Sequence, residues 1–380
     1  MIKKYFFLVF ALFFFIALGG ANAVAADIDA RPLVVQGAMD LEIQELVKAL
    51  DNPKEITFGS WTFWQGTIDN LPVVVSRTEV GITNAAAATL LAIEKFHPWA
   101  IINQGTSGGH DPSLHRFDIV LGEKAINYGK FKSNHRDYGQ GTNPLEWIPE
   151  DVKLNLDGKR ISFHGFEGDQ ELLKIAESVA SSYQYGRVVR GVIGTADEWN
   201  RELDRIKWAH ERLGTSVEEM ETASAAQVAR AYNIPFLGIR ILSNSEPQNE
   251  NWDPKAGAYC QEYVLQVIKA IAKTKNLQDL TPNFKVFIDG SEVNLKHTPF
   301  AINDVVYLPV REVFTRMGGT VAWDNEQRLA WVKLEDKDIV IKATSEGLLR
   351  DSILYMPVPM IAQSTDYHLI LNDYEVRLYR

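Results

Sequence analysis

The sequence predicts an α/β fold with a mixed central sheet flanked by helices, followed by a small α+β domain. Between residues 31 and 275, short apolar runs alternate with helical patterns, which is typical of a largely parallel or mixed sheet covered by helices. This pattern changes after a polar segment with one proline near residue 280. The length of 380 residues also favours two domains.

The apolar runs assigned to strands are each followed by turn residues or by a helical pattern. The predicted strands are residues 33–35, 73–75, 100–102, 117–121, 188–193 and 236–242, and the predicted helices are 41–50, 84–96, 219–232 and 259–273. Ligands bind beyond the carboxyl ends of the strands in such sheets. We therefore expect a site after Val35, Ile102, Ile193 and Ile241.

Residues 1–26 have the pattern of a signal peptide. Lys3 and Lys4 precede an apolar run at 5–18, and residues 21–23 read Ala-Asn-Ala, which fits the small-x-small pattern before a signal-peptidase cut. A second candidate cleavage site follows Ala26, the last residue of this segment. The run is shorter than the roughly 20 residues that span a bilayer. We expect the folded part to be secreted or at the cell surface, and membrane-anchored if the leader stays uncleaved.

Composition and charge exclude several classes. Hydrophobic residues at 46% and charged residues at 23% exclude a mostly disordered chain. The net charge of −10 argues against a nucleic-acid polymer as partner. Cys260 is the single cysteine, which excludes a disulfide within the chain and a Cys-x-x-Cys zinc site. His110, Asp111 and His115 are a weak signal for a metal, so we predict no metal and no cofactor.

The first strand-to-helix loop carries a candidate base. Gly37 permits a tight turn, and Glu42 falls in the first turn of the predicted helix, near the positive end of its dipole. An ionised carboxylate that faces a cleft can remove a proton from water. Alternatively, Glu42 favours the start of the helix and has no other role.

Three further segments carry candidate ligand groups. Residues 103–110 form a glycine-rich loop without the lysine of a phosphate-binding loop. The acidic run 218–221 opens the predicted helix; it either binds adjacent sugar hydroxyls or is a solvated helix start. Trp199 follows a strand end, where its ring can stack on a flat ligand.

Taken in order, four motifs resemble those of the 5'-methylthioadenosine/S-adenosylhomocysteine nucleosidases, in the purine nucleoside phosphorylase superfamily. They are Gly37-Ala38-Met39 with Glu42, the Gln-Gly-Thr-Ser-Gly-Gly run at 104–109, Glu219-Met220-Glu221, and Ile-Arg-Ile-Leu-Ser-Asn at 239–244. The resemblance covers residues 31–273. It implies a nucleoside phosphorylase-like sheet, a homodimer, a role in methionine salvage, and hydrolysis of the N-glycosidic bond of a purine nucleoside such as 5'-methylthioadenosine or S-adenosylhomocysteine, releasing the free base.

The resemblance also assigns roles to the matching residues. Glu42 activates the attacking water, and Glu221 binds the 2'- and 3'-hydroxyls of the ribose. The other matches contact the substrate or support the water network: Thr106 beside the base and ribose, Trp199 stacked on the purine, Met220 packed on the sugar, and Arg240 behind the water and the glutamates.

Asn244 departs from the family pattern, which has an aspartate as the proton donor to purine N7. An amide donates a hydrogen bond to N7 but cannot transfer a proton, and an asparagine here is typical of 6-oxopurine phosphorylases. Three alternatives therefore stay open: a 6-oxopurine nucleoside hydrolase, a purine nucleoside phosphorylase, and a non-catalytic nucleoside-binding protein. Segments 37–42 and 103–106 lack the arginines that hold phosphate, which favours hydrolysis, while Arg77 leaves the question open.

The domain boundaries follow from these patterns. A nucleosidase-like domain at 27–275 precedes a linker at 276–284 and a second domain at 285–380. In the second domain, residues 286–290, 308–311 and 318–324 resemble the copper amine oxidase N-terminal-like domain of exported Gram-positive proteins. This resemblance does not imply a copper site, and we expect attachment to the cell wall or surface.

Overall fold

The structure is a computed structural model that describes residues 30–275, 280, 284–302, 305–372 and 374–380. The predicted signal peptide and most of the predicted linker lie outside the described residues. Among the helices within these ranges, none is both long enough and apolar enough to cross a membrane.

The first domain alternates strands and helices as predicted. Its strands are β1 (Leu33–Gly37), β2 (Asp51–Phe58), β3 (Trp61–Ile68), β4 (Leu71–Arg77), β5 (Ala100–Gly109), β6 (Ile119–Asn127), β7 (Phe131–Lys132), β8 (Ile148–Pro149), β9 (Val152–Leu156), β10 (Lys159–Phe163), β11 (Phe166–Glu167), β12 (Val188–Thr195), β13 (Thr215–Glu219) and β14 (Phe236–Asn244). Its helices are α1 (Asp40–Lys48), α2 (Ile82–Phe96), α3 (Gln170–Ser178), α4 (Leu203–Leu213), α5 (Thr222–Ala231) and α6 (Lys255–Thr274).

Ten of these strands form one mixed sheet in the order β11-β6-β12-β13-β5-β1-β4-β3-β2, with β14 paired to both β5 and β6. Strand β1 is parallel to β4 and β5, whereas β13 and β5 are antiparallel. The pairs β6–β12, β12–β13, β13–β5, β5–β14 and β14–β6 form a closed ring. The sheet therefore curls on itself, which brings the ends of β5, β13 and β14 together.

Burial explains why the central strands were readable from the sequence. Strands β1 and β14 are buried along their whole length, and such strands read as nearly continuous apolar runs. Helix α6 presents Cys260, Val264, Val267 and Ile271 at helical spacing, all buried, and packs on α1, β5 and β14. The predicted α/β class with a mixed central sheet is confirmed.

Two local predictions were wrong. The glycine-rich segment is not a loop: β5 continues to Gly109, because its backbone pairs with β14 and with β13. The predicted helix from residue 219 begins at Thr222, because Glu218 and Glu219 still belong to β13. The hairpin of β2 and β3 was missed, because β2 is mostly exposed and carries few apolar residues.

The second domain is a small β-rich module with two helices. Its strands are β15 (Lys285–Ile288), β16 (Ser291–Val293), β17 (Phe300–Ile302), β18 (Val305–Pro309), β19 (Thr320–Asp324), β20 (Leu329–Leu334), β21 (Lys337–Lys342), β22 (Leu348–Arg350), β23 (Ile353–Pro357), β24 (His368–Asn372) and β25 (Glu375–Tyr379). The helices are α7 (Val310–Arg316) and α8 (Val358–Ser364). Its apolar core is separate from those of the first domain, as expected of a second domain. The exact domain boundaries stay predictions.

Candidate functional site

Glu42 lies where β1 passes into α1 and is almost fully buried. Its Oε2 accepts hydrogen bonds from the backbone N–H groups of Ala38 and Met39, at 2.9 and 3.2 Å. Its Oε1 accepts from the N–H and the hydroxyl of Thr106, at 2.7 and 2.8 Å. Glu42 therefore holds the start of its own helix with one oxygen and reaches β5 with the other.

Gly105 lets the charged groups approach the backbone of β5. A Cβ atom at this position would lie 2.5 Å from Nη1 of Arg240 and 2.8 Å from Oε1 of Glu42. Both distances are shorter than van der Waals contact, so a larger residue would displace the two side chains. Gly105 was predicted to lie in a loop, but it is a residue of β5, and the side chains of Arg240 and Glu42 pack against its backbone.

Arg240, on β14, joins this end of the site to the acidic run. Its side chain is 2% exposed. Nε donates to Oε2 of Glu219 at 3.0 Å, Nη2 donates to Oδ1 of Asn103 at 2.6 Å, and Nη2 lies 3.5 Å from Oε2 of Glu221. Burial opposes the charge of Arg240, but Glu219, Glu221 and Glu42 outweigh it and raise its pKa. One guanidinium thus lies among three carboxylates.

The acidic run is buried, so its interpretation as a solvated helix start was wrong. Glu219 accepts from the N–H groups of Glu221 and Thr222, at 2.9 and 2.8 Å, and so caps α5. Glu221 accepts from the N–H of Gly81 at 2.9 Å. Burial and the charge of Glu219 raise the pKa of Glu221 to about 8, against the opposing effect of Arg240. Met220 lies between the two carboxylates and is half-buried.

A second buried polar cluster lies on the opposite face of β13, at the same end of the strand as Glu219. Glu218 points away from Glu219, because successive residues of a strand face opposite sides. Its Oε2 accepts from the hydroxyl of Tyr128 at 2.7 Å and from Nδ2 of Asn200 at 2.6 Å, and lies 3.1 Å from Nε2 of His110. His110 therefore belongs to a hydrogen-bonded cluster. Across the described ranges, no group of three or more His, Cys, Asp or Glu side chains is placed to hold a metal ion.

Asn244 ends β14 beside this second cluster. A Cβ atom on Gly108 would lie 3.5 Å from both Nδ2 of Asn244 and Oε1 of Glu218. Oδ1 of Asn244 lies 3.1 Å from the hydroxyl of Ser243. Asn244 thus faces the same strand position as Glu218, which the sequence analysis had not singled out as a separate group.

Trp199 is not part of either buried cluster. Its side chain is 61% exposed, in the connection between β12 and α4, while its neighbour Asn200 reaches Glu218. On the same connection, Asp197 accepts from the N–H of Ile82 at 2.9 Å, next to the Gly81 N–H that Glu221 holds. The structure therefore brings the connection to the site but leaves the indole at the surface, and its stacking role stays a prediction.

Seven residues were predicted for the site, and the structure brings six of them to neighbouring positions on β5, β14 and the starts of α1 and α5. These six are Glu42, Thr106, Met220, Glu221, Arg240 and Asn244. Three residues of the two buried clusters were not predicted as site residues: Asn103, Tyr128 and Asn200. Each is a polar residue in or beside an apolar run, and its contacts are with residues far along the chain.

A separate cavity of about 790 Å³ lies outside this site. Its lining is formed largely by charged and polar side chains of β7 to β10 and the connections beside them, including Lys130, Lys132, Lys153 and Arg160. None of the predicted site residues lines it. We assign the candidate site to the carboxylates around Arg240, because the buried ionisable groups lie there.

Two family models match the chain. Residues 32–273 match the phosphorylase superfamily, and residues 287–367 match the copper amine oxidase N-terminal domain. A 5'-methylthioadenosine/S-adenosylhomocysteine nucleosidase of Anoxybacillus flavithermus is 27% identical over 247 residues, which cover 63% of this chain and 99% of that protein. The nucleosidase of the same name from Bacillus licheniformis is 29% identical over 245 residues, with the same two coverages.

A solved structure also shares the fold of the first domain. The nucleosidase of that name from Colwellia psychrerythraea, in complex with adenine, superposes with a TM-score of 0.52 at 24% identity. The match covers 63% of this chain and 96% of that one. Because the segment that matches the family model, 32–273, makes up more than half of the 380 residues, the chain belongs to the phosphorylase superfamily.

Proposed function

We propose that the chain hydrolyses the N-glycosidic bond of a purine nucleoside and releases the free base. The observation that carries this proposal is the placement of Glu42 and Glu221 about one buried guanidinium, that of Arg240. Two carboxylates distant along the chain thereby face one small volume beside β5. The nucleosidase relatives, matched over nearly their whole length, support the same reaction.

Each proposed role follows from a contact. Glu42 takes a proton from water with the lone pair of Oε1 that the hydroxyl of Thr106 vacates, and the water oxygen then bonds to C1' of the ribose. The C1'–N9 bond breaks, and the electron pair leaves with the purine, which takes a proton from solvent. Glu221, when ionised, accepts hydrogen bonds from the ribose hydroxyls and stabilises the positive charge on the sugar. Each such group contributes roughly 10²- to 10⁴-fold to the rate.

The contacts of Arg77 favour water over phosphate as the nucleophile. Its Nη1 lies 3.0 Å from Oδ1 of Asp40, and its Nε lies 2.8 Å from Oε1 of Glu79. Arg240 is similarly held by Glu219. An arginine neutralises a bound phosphate only when no carboxylate already occupies its guanidinium group. Phosphate would therefore have to displace these carboxylates before either arginine could bind it.

The names of the relatives point to 5'-methylthioadenosine or S-adenosylhomocysteine as the substrate, and we carry these compounds to this chain as a proposal with a role in methionine salvage. Asn244 favours a second candidate, a 6-oxopurine nucleoside, because its amide cannot protonate N7 of adenine. We also propose export by residues 1–26, a homodimer, and attachment to the cell wall or surface by the second domain, which matches a family model of its own.

An assay of the purified chain tests the reaction. Methylthioadenosine, S-adenosylhomocysteine, adenosine and inosine are incubated with and without phosphate, and free base, ribose product and ribose 1-phosphate product are separated by chromatography. Release of base without phosphate supports hydrolysis. Release that depends on phosphate identifies a phosphorylase, and binding without turnover identifies a nucleoside-binding protein.

Variants of α1 test the role of the carboxylate. Glu42→Gln is expected to abolish turnover, because the amide cannot take the proton from water. Glu45→Gln is the matched control: Glu45 lies on the same helix but pairs with Lys48 at the surface. Loss of activity in both variants, or in neither, would contradict the assignment of Glu42 as the base.

A further inference from the structure

We propose that the cavity lined by β7 to β10, which we call the basic cavity, binds a chain of linked phosphate groups, either free or as the phosphate tail of a nucleotide. This second site goes beyond the proposed function, because none of the residues assigned to hydrolysis lines it. Its volume of about 790 Å³ lies within the usual range for small-molecule sites, and most of its lining side chains are charged or polar. The ligand that it suits is therefore small and strongly polar.

Positive charge prevails in the basic cavity, although the whole chain is acidic. The lining has four cationic and two acidic side chains, whereas the chain has a net charge of −10. Each acid has a basic neighbour of its own. Oε2 of Glu150 lies 3.9 Å from Nζ of Lys130, and Oδ1 of Asp151 lies 3.4 Å from Nδ1 of His164. The two acids therefore leave most of the positive charge of the lining uncompensated.

Three of the four cations are unpaired. They form no hydrogen bond or ion pair with any residue that the structure describes, and they are Lys132, Lys153 and Arg160. Other exposed arginines of the first domain contact carboxylates, such as Arg136 beside Glu146 and Arg190 beside Glu177. The charges of the basic cavity are thus free to bind an anion from solution.

The register of the β9–β10 hairpin turns two of these cations to one side. Lys153 of β9 lies opposite Ser162 of β10, and directly opposed residues of antiparallel strands share a face. Arg160 lies two residues before Ser162 and so shares that face, with its Cβ about 7 Å from that of Lys153. Ser162 brings a hydroxyl donor next to both cations. All three side chains line the basic cavity.

Lys132 reaches the basic cavity from a different pair of strands. It belongs to β7 and lies opposite Ile148 of β8, and both residues line the cavity. A ligand that contacts all three unpaired cations must therefore span two strand pairs. An ion pair at an exposed position changes an affinity by only about 2- to 5-fold, so an anion with a single charge is held weakly. Several linked anionic groups can contact the three cations at once.

Asn127, at the end of β6, adds an amide without a partner. It lines the basic cavity, and its Oδ1 is buried with no hydrogen-bond partner among the described residues. Buried polar atoms of folded proteins nearly always form hydrogen bonds, so this amide is available to a ligand. Rotation of the amide by 180° exchanges its oxygen and nitrogen and presents a donor, which a phosphate oxygen accepts.

Phosphate groups suit this set of donors better than carboxylates. An arginine binds phosphate through two parallel hydrogen bonds, and a lysine binds it as a point charge. A terminal phosphate presents three acceptor oxygens, whereas a carboxylate presents two, so the serine hydroxyl and the amide also find acceptors. The donors of the basic cavity therefore favour a phosphate chain over a polycarboxylate.

Calorimetry with the full chain at low salt tests the site. The probes are sodium tripolyphosphate, orthophosphate, citrate and adenosine triphosphate. Tripolyphosphate is expected to bind about 10-fold more tightly than orthophosphate or citrate, because it alone of the three reaches several cations with phosphate groups. Equal binding of adenosine triphosphate supports a nucleotide tail as the source, and weaker binding supports the free chain. No binding of tripolyphosphate, or equal binding of citrate, would overturn the proposal.

Variants of the hairpin assign the binding to the basic cavity. Lys153→Gln and Arg160→Gln are each expected to weaken tripolyphosphate binding about 2- to 5-fold, and about 10-fold together. Lys159→Gln is the matched control: it removes one positive charge beside Arg160, but Lys159 faces the other side of the hairpin and does not line the cavity. An equal loss in the control, or no loss in the double variant, would overturn the site. These measurements need no nucleoside, so their outcome is independent of the proposed hydrolysis.

Discussion

Substitution of Gly105 by alanine tests the packing of the charged groups against β5. The added Cβ would lie 2.5 Å from Nη1 of Arg240 and 2.8 Å from Oε1 of Glu42, while ordinary contact begins near 3.4 Å. Arg240 must therefore retreat by about 0.9 Å and Glu42 by about 0.6 Å. A misplacement of about 1 Å at a reacting centre lowers the rate about 10²-fold, and overpacking of a core costs about 1–3 kcal/mol of stability.

The assay measures kcat/KM for release of base together with the free energy of unfolding in urea. Gly105→Ala is expected to lower kcat/KM about 10²-fold and the free energy of unfolding by about 1–3 kcal/mol. Gly158→Ala is the control, because a Cβ there meets nothing within 4 Å but the backbone has a φ of +74°. Gly158→Ala is expected to lower the free energy of unfolding by about 1 kcal/mol and to keep the activity of the parent.

The comparison separates loss of stability from loss of geometry. A folded Gly105→Ala protein with kcat/KM within about threefold of the parent, well short of the expected 10²-fold, would refute the contact of Glu42 and Arg240 with β5. An equal loss of activity in Gly158→Ala would also refute it, because Gly158 lies outside the site, in the turn between β9 and β10.

The other predictions concern the charges of the site. Glu221 has a pKa of about 8 when folded and near 4.5 when unfolded, so the unfolded chain loses its proton first and the free energy of unfolding falls as pH rises through this window. Glu221→Gln is expected to remove that part of the slope in urea titrations at several pH values; an identical slope would contradict it. Asn244→Asp is expected to raise kcat/KM for adenosine relative to inosine, because aspartic acid can protonate N7; a lower ratio would count against the donor argument. Arg240→Met leaves the carboxylate of Glu219 buried without its cation and is expected to cost about 3–5 kcal/mol in the same unfolding assay, where a loss below about 1 kcal/mol would contradict the ion pair.

Much of the fold was readable because its central strands are buried on both faces. The runs at 33–35, 73–75 and 236–242 all lie within observed strands, since a strand without a solvent face is apolar throughout. The hairpin β2–β3 and the short strands β7 to β10 were not found. Strands β2 and β10 are largely exposed and β9 is partly exposed, so polar residues interrupt the pattern that marks a strand.

The start of α5 shows how far local patterns reach. The acidic run was assigned to a helix, because carboxylates favour the N-terminus of helices. In the structure, Glu218 and Glu219 end β13, and Glu219 caps the helix that follows. A carboxylate that ends a strand and caps the next helix has the same local sequence as one in the first helical turn, so spacing alone could not separate them.

The sequence by itself determined the α/β class, the second domain, the order of the four motifs, and the residue types that meet at the site. Tertiary structure decided which groups touch: Glu218, Glu219 and Glu221 are neighbours along the chain, yet they hold Tyr128, Arg240 and the Gly81 backbone respectively. The physical reason is that strand alternation turns adjacent side chains to opposite faces, while their partners come from other strands and loops of the curled sheet. Such contacts depend on the register between β5, β13 and β14, which the sequence of any one strand does not contain.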